Sequence, residues 1–395
     1  MRIGMILDKT FPPDPRVENE AISLVKNGFD VYLFCLNYGN QKKEETINEI
    51  KVRRYASNKF FYKLSALVYT FPFYSFIMAK KIKRFLVDNA IQTIHIHDIQ
   101  IADAVFKANK KLKLPTVLDL HDNMPEVIKF YPHLQKFPGK QLISPKKWKK
   151  KEEEFIKKAT KIITVSQEFI DEVVDRTNIS KNKITLVPNT VQKEFYKEAK
   201  MDNSILKRYK KNFVLLYLGD TAIRRGLLTA INALPQLIKK IPNIKLVIVG
   251  SNTTDSVLFK TVTNSKIDNY VDFEGWQNVA LFPSYIKAST ICISPLYRNK
   301  QHDVAFANKL FQYMSLGKPL LVSNAIAQKK LIEKVNSGLV HKEKDPIDFA
   351  KKVLKLYKYK SLRLKFGENG KHFIENEFNW DKTSEKLIDL YKKIK

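Results

Sequence analysis

Cysteine is nearly absent: only Cys35 and Cys292 occur in 395 residues, each inside an apolar run. Neither a disulfide framework nor a cysteine-built zinc centre can be made from that pair, and a reducing compartment fits. Glycine is scarce too, at 12 residues, and the chain holds no Walker loop and no G-x-G-x-x-G. The usual dinucleotide fingerprint is therefore not expected. The opening MRIGMILDKTF lacks a long apolar segment, so no secretory signal is expected there. Acidic residues are in deficit, with 40 Asp and Glu against 70 Lys and Arg, a net charge of +30 with histidine neutral. No RRM, helix-turn-helix or finger pattern accompanies the basic residues, so nucleic acid is not the expected partner. Internal repeats and low-complexity tracts are also lacking.

Apolar residues make up 44% of the chain, which excludes a disordered basic tail. The length suggests two domains. The positive charge is uneven: residues 51–150 carry 20 basic and 6 acidic groups, a net of +14, and the rest of residues 1–200 is slightly acidic. A coding bias toward Lys, Ile, Asn and Phe contributes, but such a bias also raises Glu and so does not account for the imbalance by itself. Charge alone does not choose between an anionic membrane and another anionic partner.

Short apolar runs alternate with helical patterns along the chain, the signature of βαβ units and parallel sheets. Strands are expected at Arg2–Leu7, Val31–Leu36, Thr93–His97, Thr116–Leu120, Lys161–Val165 and Ile184–Pro188. After a polar stretch at 192–211 the rhythm restarts with Phe213–Leu218, Lys245–Val249, Val271–Phe273, Ile291–Ser294 and Pro319–Val322. The expected fold class is α/β, with two Rossmann-like domains facing a cleft. The expected bounds are 1–195, 196–375 and a terminal helix at 376–395. In such sheets ligands bind beyond the carboxyl ends of strands.

Residues 60–79, FFYKLSALVYTFPFYSFIMA, are long enough to span a bilayer, but Lys63 and Pro72 argue against it. Two readings stand: packed helices within the domain, or a helix lying at a membrane interface. In the second, Lys80, Lys81, Lys83 and Arg84 meet anionic head groups. The run KKWKKK at 146–151 places Trp148 among five lysines, an interfacial composition whose alternative is a solvated helix start.

Two strand ends carry histidine: IHIHD at 94–98 and TVLDLHDNMPE at 116–126. A lone histidine is usually structural. The repeated placement argues for a functional His121, set between Asp119 and Asp122, whereas for His97 the two readings stay level. A zinc site from His95, His97 and His121 is not expected, because no helical H-x-x-x-H supports it, and no other metal site is expected either. In the second half, LGDTAIRRGL places Gly219, Arg224, Arg225 and Gly226 between a strand and a helix, where free N–H groups and arginines favour an anion. Lys309 opens another helix in FANKLFQYMSLGKPLLVS, where it opposes the helix dipole unless an anion is present.

Taken in order, FPPDPRVENEAISLVKNGFDV, IHIHD, DLHDNMPE, ITVSQ, LVPNT, LGDTAIRRGL, KLVIVG, NKLFQYMSLGKPLLVS and FNWDKTSEKLIDLY resemble the family 4 glycosyltransferases of the GT-B fold over nearly the whole chain. The resemblance implies transfer of a sugar from a nucleotide-diphosphate sugar, a co-substrate rather than a cofactor, with retention at the anomeric carbon and without metal. It implies that His121 lies near the donor sugar, that Arg225 holds the diphosphate and that Lys309 is a second clamp. Gly219, Arg224, Gly226, Ala307, Asn308 and Gln312 fall on the donor side, and Arg16, His97, Asp98 and Glu126 on the acceptor side. It also implies a terminal helix crossing back to the first domain. The expected acceptor is lipid-linked or membrane-proximal, as in bacterial surface polysaccharide synthesis, for a cytoplasmic protein peripheral to the plasma membrane. The chain departs from the family pattern at its Glu-x7-Glu pair, which falls on Val304 and Gln312. Ala305 and Ala307 stand for loop glycines, and Asp220 for an arginine. The alternative is a binding or scaffold protein that keeps the fold without transfer. A GT-B epimerase or phosphorylase fits the whole-chain pattern less well.

Overall fold

The apolar runs become strands of two separate sheets. The computed structural model describes every residue except 40, 132, 133, 135, 138 and 395. Its first sheet holds β1 (Arg2–Ile6), β2 (Asp30–Asn37), β3 (Glu44–Ile47), β4 (Ile50–Ala56), β5 (Thr93–His97), β6 (Thr116–Leu120), β7 (Lys161–Thr164) and β8 (Ile184–Leu186), in the order β3-β4-β2-β1-β5-β6-β7-β8. The second holds β9 (Phe213–Leu218), β10 (Ile244–Val249), β11 (Val271–Gly275), β12 (Ile291–Ser294), β13 (Leu320–Ser323) and β14 (Gly338–His341), in the order β11-β10-β9-β12-β13-β14. Every described pairing is parallel except the antiparallel β3–β4 hairpin.

Parallel strands covered on both faces need apolar side chains at successive positions, not alternate ones. The strand β9, FVLLYL, is buried throughout. Its Leu215 and Tyr217 pack with the helices Leu227–Ile238 and Pro346–Lys358, and its Leu216 and Leu218 with the helix Lys309–Ser315. Winding changes direction between β1 and β5 in the first sheet and between β9 and β12 in the second. Ligand crevices of doubly wound sheets open at such points.

The chain separates into two compact units, Met1–Pro188 with Thr383–Lys395, and Asn189–Lys382. The helix Glu385–Lys393 belongs to the first unit, where it contacts the helix Pro15–Lys26 and β8. The polar stretch at 192–211, across which the rhythm of strands breaks, contains the helices Glu194–Lys197 and Asn203–Tyr209. Asp202 caps the latter, and Ile205 and Tyr209 bury its inner face. The β3–β4 hairpin was not expected. Its burial alternates at Ile50, Val52 and Arg54, and a search for continuous apolar runs passes over such a strand. Residues 60–79 are broken at Pro72 into a short helix Lys59–Lys63, a 3-10 turn and the helix Phe73–Asp88. Among the described residues no helix is long and apolar enough to cross a membrane.

Candidate functional site

In the first unit, charged groups gather at the carboxyl ends of β5 and β6, which pair with His97 opposite Asp119. Arg16, from the helix Pro15–Lys26, is the centre. Its Nε and Nη2 donate to the Asp119 carboxylate at 3.0 and 2.7 Å, and its Nη1 donates to the Val187 carbonyl. Nη2 also lies 2.9 Å from Glu20 one turn along the helix, at ion-pair distance but not aligned as a hydrogen bond. His121 closes the network: its Nε2 meets Asp119 Oδ2 at 2.6 Å and its Nδ1 lies 3.4 Å from Asp98 Oδ2. His95 stacks on His97 with ring centroids 4.3 Å apart, and its Nδ1 meets the Tyr391 hydroxyl at 2.7 Å.

Each charge state follows from these neighbours. Burial pushes the Asp119 carboxyl up, but Arg16 and His121 outweigh it and hold it well below the usual range. Glu20 keeps a raised pKa because its burial outweighs the help of Arg16. Burial and His95 drive His97 well below the usual imidazole range, so it is neutral. Burial opposes charge on His121 as well. There Asp119 and Asp98 prevail and raise it to about 9. His121 is thus an imidazolium at neutral pH, a donor rather than a base.

A pH dependence follows. The folded His121 is raised above its unfolded value of about 6.5, so its contribution to stability is complete below that pH and is lost as pH rises through about 9. The melting temperature of the first unit should fall between pH 7 and 9, and His121→Gln should flatten that slope. Calorimetry of the two proteins across the window checks it, and equal slopes would count against an ion-paired His121.

Donor atoms of Glu20, His95, His97 and Asp119 lie within 4.8 Å of one another, all on buried residues. Their chemistry is not that of a cation site, because the Arg16 guanidinium already contacts both carboxylates.

In the second unit the site forms where β9 and β12 end. Gly219 and Gly226 bound the loop after β9. Gly226 has φ +79°, and a Cβ there would stand 1.8 Å from the Pro295 carbonyl oxygen, so only glycine fits. That close approach ties the loop to the segment after β12: Tyr297 N–H donates to the Arg224 carbonyl at 3.0 Å. His302 strengthens the tie. Its Nδ1 donates to the Tyr297 carbonyl at 2.7 Å, which leaves Nε2 to accept from Arg224 Nη1 at 3.1 Å and to lie 3.5 Å from Arg225 Nη1. Burial lowers His302 to about 3, and the nearby Arg225, Arg224 and Lys309 act in the same direction against the Tyr297 hydrogen bond. A neutral His302 orients both arginines without adding charge.

Arg225 Nε donates to Asp220 Oδ2 at 3.0 Å, and Arg224 Nη2 stands 4.0 Å from the same oxygen. Lys309 is buried with its Nζ 3.4 Å from the centroid of the Tyr217 ring. Among the described residues no carboxylate lies within ion-pair distance of it. Burial and Arg225 push its ammonium well below the usual lysine range, with Asp220 opposing. The Tyr217 ring face also favours the charged form. One carboxylate thus lies beside two guanidiniums, with the buried Lys309 amine near Arg225.

The remaining expected residues fall as follows. Ala307 and Asn308 precede the helix Lys309–Ser315, with Asn308 exposed at its cap, and Gln312 is half-buried within it. Val304 is buried at the end of the helix Lys300–Val304. In the first unit Arg16 and His97 are buried in the network described, Asp98 sits at φ +66° after β5, and Glu126 pairs with Lys129 at 2.6 Å. Lys80, Lys83 and Arg84 are exposed, whereas Lys81 is half-buried and donates to the Ala56 carbonyl. Trp148 is not on the surface. It shares a buried stripe with Glu152, Phe155 and Ile156 on the helix Pro145–Lys158, and its ring meets Tyr69 edge-on at 4.8 Å. Helical spacing turns the lysines of 146–151 outward and the tryptophan inward.

Sequence reasoning missed His302, Glu20 and Tyr391. His302 stands eight residues beyond β12, within the helix Lys300–Val304, too far along for the strand-end rule that found His121. No short-range pattern joins Tyr391 to His95.

Two Rossmann-like parallel units, the second with a cationic site at a switch point, define the class as GT-B. Solved structures agree in fold. Sucrose-phosphate synthase from Thermosynechococcus elongatus matches with a TM-score of 0.79 at 17% identity, covering 99% of this chain and 98% of that one. Anabaena Alr3699/HepE, solved in complex with UDP, matches with a TM-score of 0.75 at 14% identity, covering 99% and 100%. The sequence pattern described as Glycosyltransferase Family 4 matches residues 16–195, and that described as Glycosyl transferases group 1 matches 199–373. The capsular polysaccharide biosynthesis glycosyltransferase CapM of Staphylococcus aureus is 25% identical over 253 residues, which cover 59% of this chain and 61% of CapM. The curated relatives are matched over less than two thirds of their own length. The chain belongs to the family 4 glycosyltransferases of the GT-B fold.

Proposed function

We propose that this protein moves a hexose or related sugar from a nucleoside-diphosphate sugar to a lipid-linked or membrane-proximal glycan, with retention and without metal. The observation that carries this reading is the grouping of Arg224 and Arg225 at the Asp220 carboxylate, with the buried Lys309 nearby, at the switch point of the second sheet. As the glycosidic bond breaks, charge gathers on the distal phosphate of the leaving nucleotide. Fixed guanidiniums, joined by Lys309 as the incoming anion favours its charged form, stabilise that charge more than they stabilise the intact donor. They take the part a divalent cation plays elsewhere, so the nucleotide sugar is the only small co-substrate in this reading. A structure of similar fold solved with UDP-glucose supports a nucleotide-sugar donor. The similarity to CapM supports surface polysaccharide as the product, made at the cytoplasmic face of the membrane. Retention rests on the family resemblance alone.

The test is a hydrolysis and transfer screen with UDP-, GDP-, ADP- and dTDP-sugars, run with and without chelator, with the product anomer read by NMR. Turnover of one donor series that survives chelation and retains configuration is expected. Chelator-sensitive turnover overturns the metal-free step. The second reading, a scaffold without transfer, is favoured by Val304, which brings an apolar side chain to a position where the family has glutamate. Nucleotide binding by calorimetry with no turnover of any donor would establish it.

A further inference from the structure

The helix Phe73–Asp88 is amphipathic in an unusual sense. Its inner face buries Tyr74, Ser75, Met78, Ile82, Phe85 and Leu86. Its outer face is also apolar through the first turn: Phe73 is 70% exposed, Phe76 55% and Ile77 44%. These follow the spacing i, i+3, i+4, and the same face continues with Lys80, Lys83 and Arg84, all exposed. Just upstream, Phe60 is 74% exposed and Phe71 45%. Isolated exposed apolar residues are ordinary, but apolar side chains grouped on one helix face beside exposed basic residues mark a surface that something covers.

Charge identifies the occupant. Residues 59–87 hold six basic groups and no acidic one. The first carboxylate is Asp88, which Arg84 faces at 3.3 Å. Lys107, from the neighbouring helix, adds a cation 4.3 Å over the Phe76 ring, itself paired with Asp103. A second copy of the chain would bring this cationic face against itself. An anionic bilayer would accept both parts, the rings at the head-group boundary and the basic groups among phosphates. At 16 residues the helix is roughly 24 Å long, short of the hydrocarbon core, and one side is committed to the unit's interior. It therefore lies along a membrane rather than through it.

We propose that the outer face of Phe73–Asp88, with Phe60 and Phe71, docks the protein on the anionic leaflet of a bilayer. This deepens the membrane-proximal reading above by naming the surface. The experiment is flotation of the full chain with phosphatidylcholine vesicles, with and without phosphatidylglycerol. The wild type is expected to float with the anionic vesicles and to be released by salt. Phe73→Ser with Phe76→Ser should lower the partition at least about tenfold, and Lys80→Glu with Lys83→Glu should abolish the preference for anionic lipid. Unchanged far-UV spectra and UDP binding in both variants show that they remain folded. Absence of flotation, or flotation untouched by both variants, overturns the proposal. So does a wild-type dimer that the phenylalanine variant converts to monomer, which would make a second copy the occupant. Flotation without sugar transfer would instead count against the proposed function alone.

Discussion

Arg16→Met should destabilise the first unit by about 3–5 kcal/mol, as expected when one partner of a buried ion pair is removed. Arg16 is 4% exposed, and its guanidinium serves Asp119, Glu20 and the Val187 carbonyl together. Without it, two fully buried carboxylates face one imidazolium. Glu20 already has a raised pKa and would take up a proton. Asp119 would retain only His121 as a counter-ion. Arg16→Lys should rescue little, since an ammonium cannot fork onto both Asp119 oxygens while reaching Val187. Arg16→Met combined with Glu20→Gln should recover part of the loss, because the second change removes the cost of protonating a buried carboxylate. Thermal unfolding checks the series, with the transition that the first-unit changes leave unmoved serving as the second unit's internal reference. A wild-type transition for Arg16→Met would mean that the network contributes nothing to stability.

The fold was legible in this sequence where strands are covered on both faces. FVLLYL and IKLVIV read as strands because nearly every position is apolar and buried. The β3–β4 hairpin was not legible, because its second strand buries Arg54, whose guanidinium is neutralised by Glu45 and hydrogen-bonded to the Phe11 carbonyl. A buried arginine looks like a surface residue until its partners are known. The same reason hid Glu20. Trp148 shows the reverse: its lysine neighbours suggested an interface, but the helical period placed it with Phe155 in the core. At the sites, strand ends flagged His121, Arg224 and Arg225, because backbone topology brings such ends together whatever their side chains. Charge state was not legible. That His121 is an imidazolium depends on Asp119 and Asp98, and that His302 is neutral depends on its burial, with two arginines acting the same way.

Arg225→Ala should lower kcat for transfer about a hundredfold, the loss typical of removing one preorganised charge donor. KM should change less, because the interaction strengthens as charge develops on the departing phosphate. The local geometry sharpens the expectation. Arg225 is held from both sides, by Asp220 at Nε and by His302 near Nη1, so its position costs little reorganisation when the donor arrives. Truncation would also leave Asp220 with Arg224, at 4.0 Å, as its remaining ion-pair partner, beside the neutral donors Asn252 and Ala222 N–H, and so raise the net negative potential at the proposed diphosphate site. Asp220→Asn then provides a change of opposite sign: it removes the competing carboxylate and should tighten UDP binding severalfold. Steady-state kinetics of the first variant and calorimetry of the second separate the two effects. Near-normal turnover in Arg225→Ala would remove the cationic site from the reaction, and weaker UDP binding in Asp220→Asn would make that carboxylate a ligand of the nucleotide rather than its rival.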